Sequence, residues 1–348
     1  MLGQSDIAHY LLSLGLVKSR DVVEEDLTIL DASRRNSVFL ATTRAGPTYV
    51  VKQGSARTAS TVAHEAAVLG ALAGVLPGLI PTVVHHEPDL ARLVLATPPG
   101  ARDWGDRRAP RTLPRIPARV LARALAALHR LAPTAVEPQP PGTDLMWGLS
   151  LPEPPYALLL DRSTGAQELI ARIQGSEALC RRLDEIRDAT VESALVHGDL
   201  RWENCLAFAP GGPPRRTRLL LVDWEFAGPG APGYDVGTVL SECVRAWVES
   251  IPILDSHNPM RFAGLAARPL QRMRPAMLAF WETYAAGNPD RPSVERVTDL
   301  TAVRLLQSAV ERAQFLTRPS AHVAALVQVA ENMLRRPEAA AGLLGLRG

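Results

Sequence analysis

Apolar positions along the 348-residue chain recur with two different periods. In the first part the apolar runs are short, and many of them alternate with polar residues, which predicts β-strands. The expected strands are residues 27–30, 38–42, 48–53, 82–86 and 92–96. Helices are expected before the strands, over 5–15, and between the third and fourth strands, over 58–72.

Beyond residue 97 the apolar spacing is mostly that of amphipathic helices. The expected helices are 114–131, one or two within 161–187, 236–250, 264–287, 292–317 and 320–345. Residues 132–156 are rich in Pro and Gly and predict a surface excursion. We therefore expect an α+β fold: residues 1–97 form a small lobe with an antiparallel sheet, and residues 98–348 form a larger, mostly helical lobe.

Composition narrows the class of protein. The net charge of +2 argues against a strongly basic nucleic-acid-binding surface. No apolar run approaches the ~20 residues of a membrane-spanning helix, and Asp6, His9 and Lys18 interrupt the N-terminal segment. The three cysteines have neither metal-site nor disulfide spacing. A cytoplasmic protein without a membrane or nucleic-acid partner is expected.

Candidate chemistry concentrates in residues 195–225. The stretch Leu-Val-His-Gly-Asp-Leu-Arg-Trp-Glu-Asn predicts a loop, followed by a hairpin of strands 204–208 and 219–223 that turns at 210–214. This hairpin would bring Asn204 close to Asp223, and two such oxygen ligands suit Mg²⁺. Asp199 lies in the loop, where it could accept a proton from a substrate hydroxyl.

The motif His-Gly-Asp-x-x-x-x-Asn followed by Asp-Trp-Glu resembles the aminoglycoside phosphotransferase-like family, which has the two-lobe protein-kinase-like fold. The resemblance implies transfer of a phosphoryl group from ATP with Mg²⁺. It also implies that Asp199 is the catalytic base and that Asn204 and Asp223 bind Mg²⁺. His197 would orient the loop. The resemblance further implies that residues 234–237 brace the loop, although Asp235 could equally be a plain helix N-cap.

The same resemblance assigns a lysine on the third strand. Lys52 would contact the α- and β-phosphates of ATP and pair with Glu65 on the following helix. Lysine is rare here, since Lys18 and Lys52 are the only two among 38 basic residues. A strand lysine in such a chain favours a role that needs a compact ammonium group. His64 is expected at the surface, and His129, near the end of the helix 114–131, is expected to be structural.

The chain departs from the family at two places in the small lobe. Residues 31–38 contain no glycine where a nucleotide-binding loop is expected, so Ser33, Asn36, Ser37 and the Arg34–Arg35 pair would have to contact the phosphates. At the expected hinge, Pro98 lacks an N–H, which leaves the Thr97 N–H as a candidate donor to the base. The glycine-free loop admits a pseudokinase.

Three observations bear on the phosphate acceptor. Residues 225–348 contain 12 Asp and Glu and 13 Arg, which argues mildly against a polycationic substrate such as an aminoglycoside. Arg201 occupies the place of a lysine in the similar protein-kinase motif, where it would offset charge during transfer. Residues 147–174 resemble kinase-like proteins of ribosomal-peptide pathways of the class V lanthipeptide and thioamitide type.

That last resemblance implies a Ser/Thr-phosphorylating enzyme that works with a separate lyase, which eliminates phosphate to give dehydroamino acids. Two alternatives stay open at this point. One is a kinase of an aminoglycoside, sugar or amino alcohol, and the other is a pseudokinase that presents a peptide to a partner.

Overall fold

The computed structural model describes residues 2–24, 26–33, 36–44, 46–104, 114–140, 144–160, 162–209, 218–252 and 259–346, with side chains except at 157 and 259–269. The predicted turn at 210–214 and Arg34–Arg35 lie outside the described residues.

The described residues form twelve α-helices and ten strands. The helices are α1 (Gln4–Ser13), α2 (Ser19–Val23), α3 (Ala59–Leu72), α4 (Arg115–Leu128), α5 (Tyr156–Leu159), α6 (Thr164–Gln174), α7 (Glu177–Asp188), α8 (Pro232–Glu249), α9 (Pro259–Gly287), α10 (Val294–Ala313), α11 (Ala321–Arg335) and α12 (Pro337–Leu344). The strands are β1 (Leu27–Asp31), β2 (Ser37–Thr43), β3 (Thr48–Gln53), β4 (Thr82–Glu87), β5 (Arg92–Thr97), β6 (Arg102–Asp103), β7 (Ala194–Val196), β8 (Cys205–Phe208), β9 (Arg218–Leu221) and β10 (Gly228–Gly230).

The chain divides into two compact units, each made of several segments. Unit 1 comprises Met1–Asp106, Thr134–Thr143 and Trp202–Pro229, and unit 2 comprises Arg107–Pro133, Asp144–Arg201 and Gly230–Gly348. The first holds the antiparallel sheet and the second is mostly helical, which agrees with the expected α+β class. The division of the chain into lobes at residue 97 stays a prediction.

Unit 1 is built on a five-stranded sheet with the order β1-β2-β3-β5-β4, and the pairs of neighbouring strands are antiparallel. Helix α1 covers the sheet with its apolar side, because Ile7 and Leu11 pack into a core with Phe39, Val51 and Val94. Removal of such apolar area from water is the main stabilising term for the unit.

The hairpin of β8 and β9 belongs to the same unit as the sheet. Its strands are antiparallel with Cys205 opposite Leu221, and β6 pairs with β8 on the other side. The Leu221 N–H donates to the carbonyl of Leu79, which follows α3 in the chain (2.7 Å). Residues 202–229 are therefore part of the body that holds Lys52.

Unit 2 is organised around α10, which is buried along almost its whole length. It packs against α8 and α11, and α4 packs against α9. Helix α8 approaches α10 closely at Gly237, where an added Cβ would lie 2.8 Å from the backbone nitrogen of Thr301. No helix among the described residues is long and apolar enough to cross a lipid bilayer.

Three expectations about elements need correction. Residues 147–151 are not a surface excursion, because Leu149 and Leu151 are buried. The helix expected over 320–345 is two helices that meet at Arg336, since a residue before proline is disfavoured in the helical region. Asp235 is not an N-cap, because α8 begins at Pro232 and Asp235 lies in its first turn.

Candidate functional site

Lys52 lies in unit 1 in an ion-paired cluster with Glu65 and Asp223, here called the lysine cluster. The register of β3 places Lys52 between Val38 on β2 and Leu93 on β5. Its Nζ donates to both carboxylate oxygens of Glu65, at 2.9 and 2.7 Å, and to Oδ1 of Asp223, at 2.8 Å. The predicted pairing of Lys52 with Glu65 is present.

The lysine cluster is largely withdrawn from water. Lys52 is 7% exposed and Glu65 1%, while the Asp223 side chain retains 33% exposure. Burial opposes the positive charge, but Glu65 and Asp223 raise the pKa of Lys52 above its ordinary value. The cluster therefore holds a fixed ammonium group at neutral pH, with one partner carboxylate open to solvent.

The backbone at Asp223 is strained and is held by its neighbours. Asp223 has φ +67°, in the left-handed region that non-glycine residues rarely adopt. Immediately before it, the Val222 N–H donates to the Asn204 carbonyl at 3.0 Å. Immediately after it, the Trp224 N–H donates to Oε1 of Glu65 at 3.2 Å. The hairpin thus places residues 204 and 223 at its same end, as the sequence predicts.

The chemistry of Asn204 and Asp223 fits a hard divalent cation. An amide oxygen and a carboxylate are the ligand types that Mg²⁺ takes, together with phosphate oxygens and water. Asp223 is partly exposed, and Asn204 is buried at the hairpin end. The residues present are compatible with magnesium bound to a nucleotide.

The glycine-free loop between β1 and β2 is closed by side chains. The Ser33 hydroxyl accepts from the Val38 N–H at 3.1 Å, and the Ser33 N–H donates to Asp31 Oδ1 at 2.9 Å. Hydrogen bonds from Ser33 lower the pKa of Asp31. Ser37 begins β2 opposite Gln53. Contacts of Ser33 and Ser37 with phosphate stay predictions, as does that of Arg35, which lies outside the described residues.

Asn36 is buried and turned toward the segment that follows Asp223. Its Nδ2 donates to Oε2 of Glu225 at 3.0 Å and lies 3.5 Å from Oγ1 of Thr61. The sequence predicts Asn36 at the phosphates and gives no sign of its pairing with Glu225.

Thr97 ends β5, and its hydroxyl donates to the Thr48 carbonyl at 3.1 Å. The role predicted for its N–H toward an adenine base stays a prediction.

Asp199 lies in unit 2, in the loop 197–201 that follows β7. Gly198 has φ +81°, which glycine adopts without strain. The N–H groups of His197 and Gly198 donate to the two oxygens of Asp235, at 2.7 and 2.9 Å. The Asp199 N–H donates to Nδ1 of the buried His197 ring at 3.3 Å. The loop is therefore ordered by His197 from within and by Asp235 from α8.

Arg201 binds the carboxylate of Asp199. Its Nη2 and Nε lie 2.8 and 3.2 Å from Asp199 Oδ2. Both Asp199 and Arg201 retain some exposure, 10% and 33% of their side chains. A nearly buried carboxylate beside a more exposed guanidinium can accept a proton while the neighbouring positive charge faces an anionic group.

Asp235 joins the loop to a buried polar network. His129, at the C-terminal end of α4, bridges Asp235 Oδ2 through Nε2 (3.1 Å) and the Tyr284 hydroxyl through Nδ1 (2.8 Å). Burial raises the pKa of Asp235, but His129, His197 and the donated hydrogen bonds outweigh it and lower the pKa below its ordinary value. His129 is structural, as expected. Asp235 braces the loop through its hydrogen bonds with the N–H groups of His197 and Gly198.

Sequence reasoning missed several polar residues near these two places. His64 is buried, not exposed, and its Nε2 lies 2.6 Å from the Ala227 carbonyl in unit 1. In unit 2, α10 carries the buried Arg304, which pairs with Glu311 at 3.1 Å. The Tyr234 hydroxyl donates to Oε1 of Gln307 on the same helix at 3.2 Å. An Arg and a Gln three positions apart, on either side of two leucines of the same helix, are the sequence signal that could have revealed them.

A family model described as the phosphotransferase enzyme family matches residues 26–275. No curated protein matches the chain in sequence.

Solved structures match most of the chain. The GDP complex of wild-type aminoglycoside 2'-phosphotransferase-IIIa is 16% identical and covers 97% of this chain and 100% of its own, with a TM-score of 0.55. LicA in complex with AMP is 15% identical and covers 95% and 98%, with a TM-score of 0.51. The apoenzyme of macrolide 2'-phosphotransferase MphH from Brachybacterium faecium is 16% identical and covers 95% and 98%, with a TM-score of 0.50. At these identities the likeness concerns the fold, and the predicted kinase-like fold is confirmed.

Proposed function

The chain belongs to the phosphotransferase enzyme family, and from that premise we propose that it transfers the γ-phosphoryl group of ATP to the hydroxyl of a Ser or Thr in a ribosomal precursor peptide. Family membership also confirms the prediction of a phosphotransferase enzyme. The use of ATP and Mg²⁺, the peptide acceptor and the roles of the individual residues are proposed.

The observation that carries the proposal is the lysine cluster. A buried ammonium group on a central strand, held by one buried and one partly exposed carboxylate, is suited to grip phosphate oxygens. In the proposed reaction Lys52 contacts the α- and β-phosphates, and Glu65 fixes its direction. Ser33, Asn36 and Ser37 would line the nucleotide loop, together with Arg35, and Thr97 would face the base. The GDP and AMP complexes among the similar structures favour a nucleotide ligand.

Asn204 and Asp223 would hold Mg²⁺. When bound, the ion would neutralise charge on the phosphate groups. The end of the hairpin and the left-handed backbone at Asp223 would position these two side chains.

Asp199 would accept the proton of the attacking hydroxyl. In that step a bond forms between the acceptor oxygen and the γ-phosphorus, the bond from phosphorus to the ADP oxygen breaks, and the proton moves to the carboxylate. His197 and Asp235 fix the loop that carries Asp199. Arg201, which binds Asp199 Oδ2, would offset negative charge on the phosphoryl group in transfer.

The charges around Asp199 bear on the acceptor. Burial opposes the charge on Arg304, but Glu311 and also Asp199 raise the pKa of its guanidinium, so Arg304 lies within electrostatic range of Asp199. Arg201 and Arg304 thus balance the charges of Asp199 and Glu311. Because these charges leave no excess of carboxylates near the proposed base, they do not favour a polycation, which supports a neutral acceptor, such as a peptide hydroxyl. A separate lyase would then eliminate the phosphate.

Two alternatives keep specific support. Two of the similar structures are an aminoglycoside and a macrolide phosphotransferase, which favours a small-molecule hydroxyl as acceptor. The glycine-free loop favours a pseudokinase that binds a peptide without turnover. The three functions differ in whether phosphate is transferred and in which acceptor stimulates release of ADP.

The test is an assay of ADP release with ATP and Mg²⁺. The acceptors are a pool of Ser- and Thr-containing peptides and a panel of an aminoglycoside, a macrolide, a sugar and choline. We expect stimulation by peptides, a phosphate added to the peptide by mass, and a loss of at least about a hundredfold in Asp199→Asn. Asp188→Asn, a change at an exposed carboxylate on α7, should leave the rate unchanged.

Stimulation by the small-molecule panel alone would contradict the peptide acceptor. If no acceptor stimulates ADP release and Asp199→Asn matches the wild type in peptide binding, the pseudokinase is correct.

A further inference from the structure

Two side-chain bridges in unit 1 join one end of the sheet, at β2 and β3, to residues 223–225. One is the bond from Lys52 to Asp223. The other is the bond from Asn36 to Glu225, two residues after Asp223. Asn36 stands just before β2, and β2 pairs with β3 so that Val38 lies opposite Lys52. The end of the sheet is thus tied to residues 223–225 at two points.

The Asn36–Glu225 bond is buried and has one possible direction. Asn36 is 8% exposed and Glu225 is 7% exposed. A carboxylate only accepts hydrogen bonds, so the amide must turn its Nδ2 toward Glu225. Its Oδ1 is then buried without a partner among the described residues. An unsatisfied buried acceptor is unfavourable for stability, so the pair is better explained by what it positions than by a gain in stability.

The position that needs support is Asp223. Its left-handed backbone is unfavourable for a residue with a Cβ, and such conformations persist only where the surroundings fix them. The Trp224 N–H is held by Glu65, and the Ala227 carbonyl is held by His64. The Glu225 side chain adds a further point of attachment, to Asn36.

We propose that Asn36 and Glu225 are positioning residues that hold Asp223 in its left-handed conformation beside Lys52, so that binding of a magnesium-bound nucleotide depends on their hydrogen bond. This inference rests on the proposed function of the lysine cluster. It also gives the glycine-free loop a role besides contact with the phosphates. The loop ends at Asn36, which binds the segment 223–225 that contains the proposed metal ligand Asp223.

Exchange of donor and acceptor gives a sharp test. Glu225→Ala removes the acceptor, and Asn36→Asp places two buried carboxylates face to face. The double variant Asn36→Asp/Glu225→Gln restores one donor and one acceptor with their roles reversed. Glu225→Gln alone keeps an acceptor oxygen for Asn36 and is the mild variant. Tyr10→Phe removes the partly buried Tyr10–Glu87 hydrogen bond, which lies elsewhere in unit 1, and is the control.

The readout is the dissociation constant of ADP, measured by calorimetry with and without Mg²⁺, beside the melting temperature. We expect Glu225→Ala and Asn36→Asp to weaken binding of ADP with Mg²⁺ by about tenfold or more, and binding of ADP alone by less than about threefold. The double variant should return to within about threefold of the wild type. Tyr10→Phe should lower the melting temperature without a change in either constant.

Unchanged binding in the single variants would overturn this inference and leave the proposed function standing. A loss of binding that the double variant fails to restore would also overturn it, because the two residues would then act separately. If Glu225→Ala does not fold, the test uses the other three variants. Binding of ADP with Mg²⁺ should then be weakened in Asn36→Asp and restored in the double variant, with Glu225→Gln as the mild single change. A wild-type protein that binds no ADP with Mg²⁺ would overturn the proposed function together with the inference.

Discussion

At the scale of a single residue, Asp235 shows how one buried carboxylate orders the loop that carries Asp199. It accepts from the N–H groups of His197 and Gly198 and from His129. These donors come from the loop and from α4, while Asp235 itself belongs to α8. A change at this residue therefore acts on both the loop and the helical packing.

Asp235→Asn should lower the free energy of unfolding by about 3 kcal/mol at neutral pH, because an amide replaces a carboxylate that accepts charge-assisted hydrogen bonds. The pKa of Asp235 in the folded chain lies below its ordinary value of 3.8. The contribution of the Asp235 charge to the free energy of unfolding is therefore complete above about pH 4. It is lost as the pH falls through the pKa of Asp235 in the folded chain. Urea unfolding of the wild type and of Asp235→Asn should be measured at about pH 7 and about pH 3.5. The difference between their free energies of unfolding should be smaller at the lower pH.

Asp290→Asn, at an exposed carboxylate, should match the wild type at both pH values. A difference between wild type and Asp235→Asn that stays constant on acidification would show that the charge of Asp235 is not what stabilises the loop.

Single residues also show what the sequence could and could not predict. Lys52 with Glu65, and Asn204 with Asp223, were predictable because a strand followed by a helix, and a hairpin, impose their proximity. Asn36 and Glu225 are 189 positions apart in the chain, and no local pattern links them. His64 was expected at the surface because the face of α3 that meets residue 227 cannot be identified from a helix that is apolar on most sides.

At the scale of elements, the crossing of α8 and α10 depends on the absence of a side chain at Gly237. An added Cβ would lie 2.8 Å from the Thr301 nitrogen and 2.9 Å from the Leu300 carbonyl carbon, and both are backbone atoms that cannot rotate away. Gly237→Ala should therefore push the helices apart and lower the free energy of unfolding by about 1–3 kcal/mol. Thermal unfolding measures the loss.

Gly342→Ala on α12 is the matched control, since nothing lies within 4 Å of the added Cβ. Because alanine has a higher helix propensity than glycine, this variant should gain up to about 1 kcal/mol. Equal behaviour of the two variants would contradict the close approach of α8 and α10.

Most elements follow from apolar periodicity, and the errors have physical causes. The strands of the five-stranded sheet begin and end within one residue of the sequence prediction. Residues 147–151 differ from the predicted surface excursion because Pro and Gly indicate turns but do not reveal burial. Here Gly148 fits against Val303 and Gln307 of α10, a tertiary contact without a local signal. Pro337 indicates the break between the helices at Arg336, but the apolar spacing continues across it and predicts a single helix.

At the scale of the whole molecule, unit 1 is assembled from segments far apart in the chain. Residues 202–229 supply Asp223 to Lys52, the Trp224 N–H to Glu65 and the Leu221 N–H to the Leu79 carbonyl. A fragment that stops before residue 202 therefore keeps buried polar groups of the sheet and α3 and removes their partners. Lys52 and Glu65 still pair with each other in this fragment, but the ion pair loses the Asp223 carboxylate and the Trp224 N–H. A buried hydrogen-bonding group left without a partner costs about 1–3 kcal/mol, which is a large share of the stability of a domain of this size.

A fragment of residues 1–106 should thus fail to unfold cooperatively, whereas the same fragment joined through a flexible Gly-Ser linker to residues 202–229 should regain a cooperative transition. Circular dichroism during urea titration distinguishes the two. Lys52→Met combined with Glu65→Gln in the short fragment removes the buried ion pair that has lost its outer partners, and should recover part of the lost stability. If residues 1–106 alone unfold cooperatively, the returning segment is not required for the fold, and its place in unit 1 serves only to deliver Asn204 and Asp223.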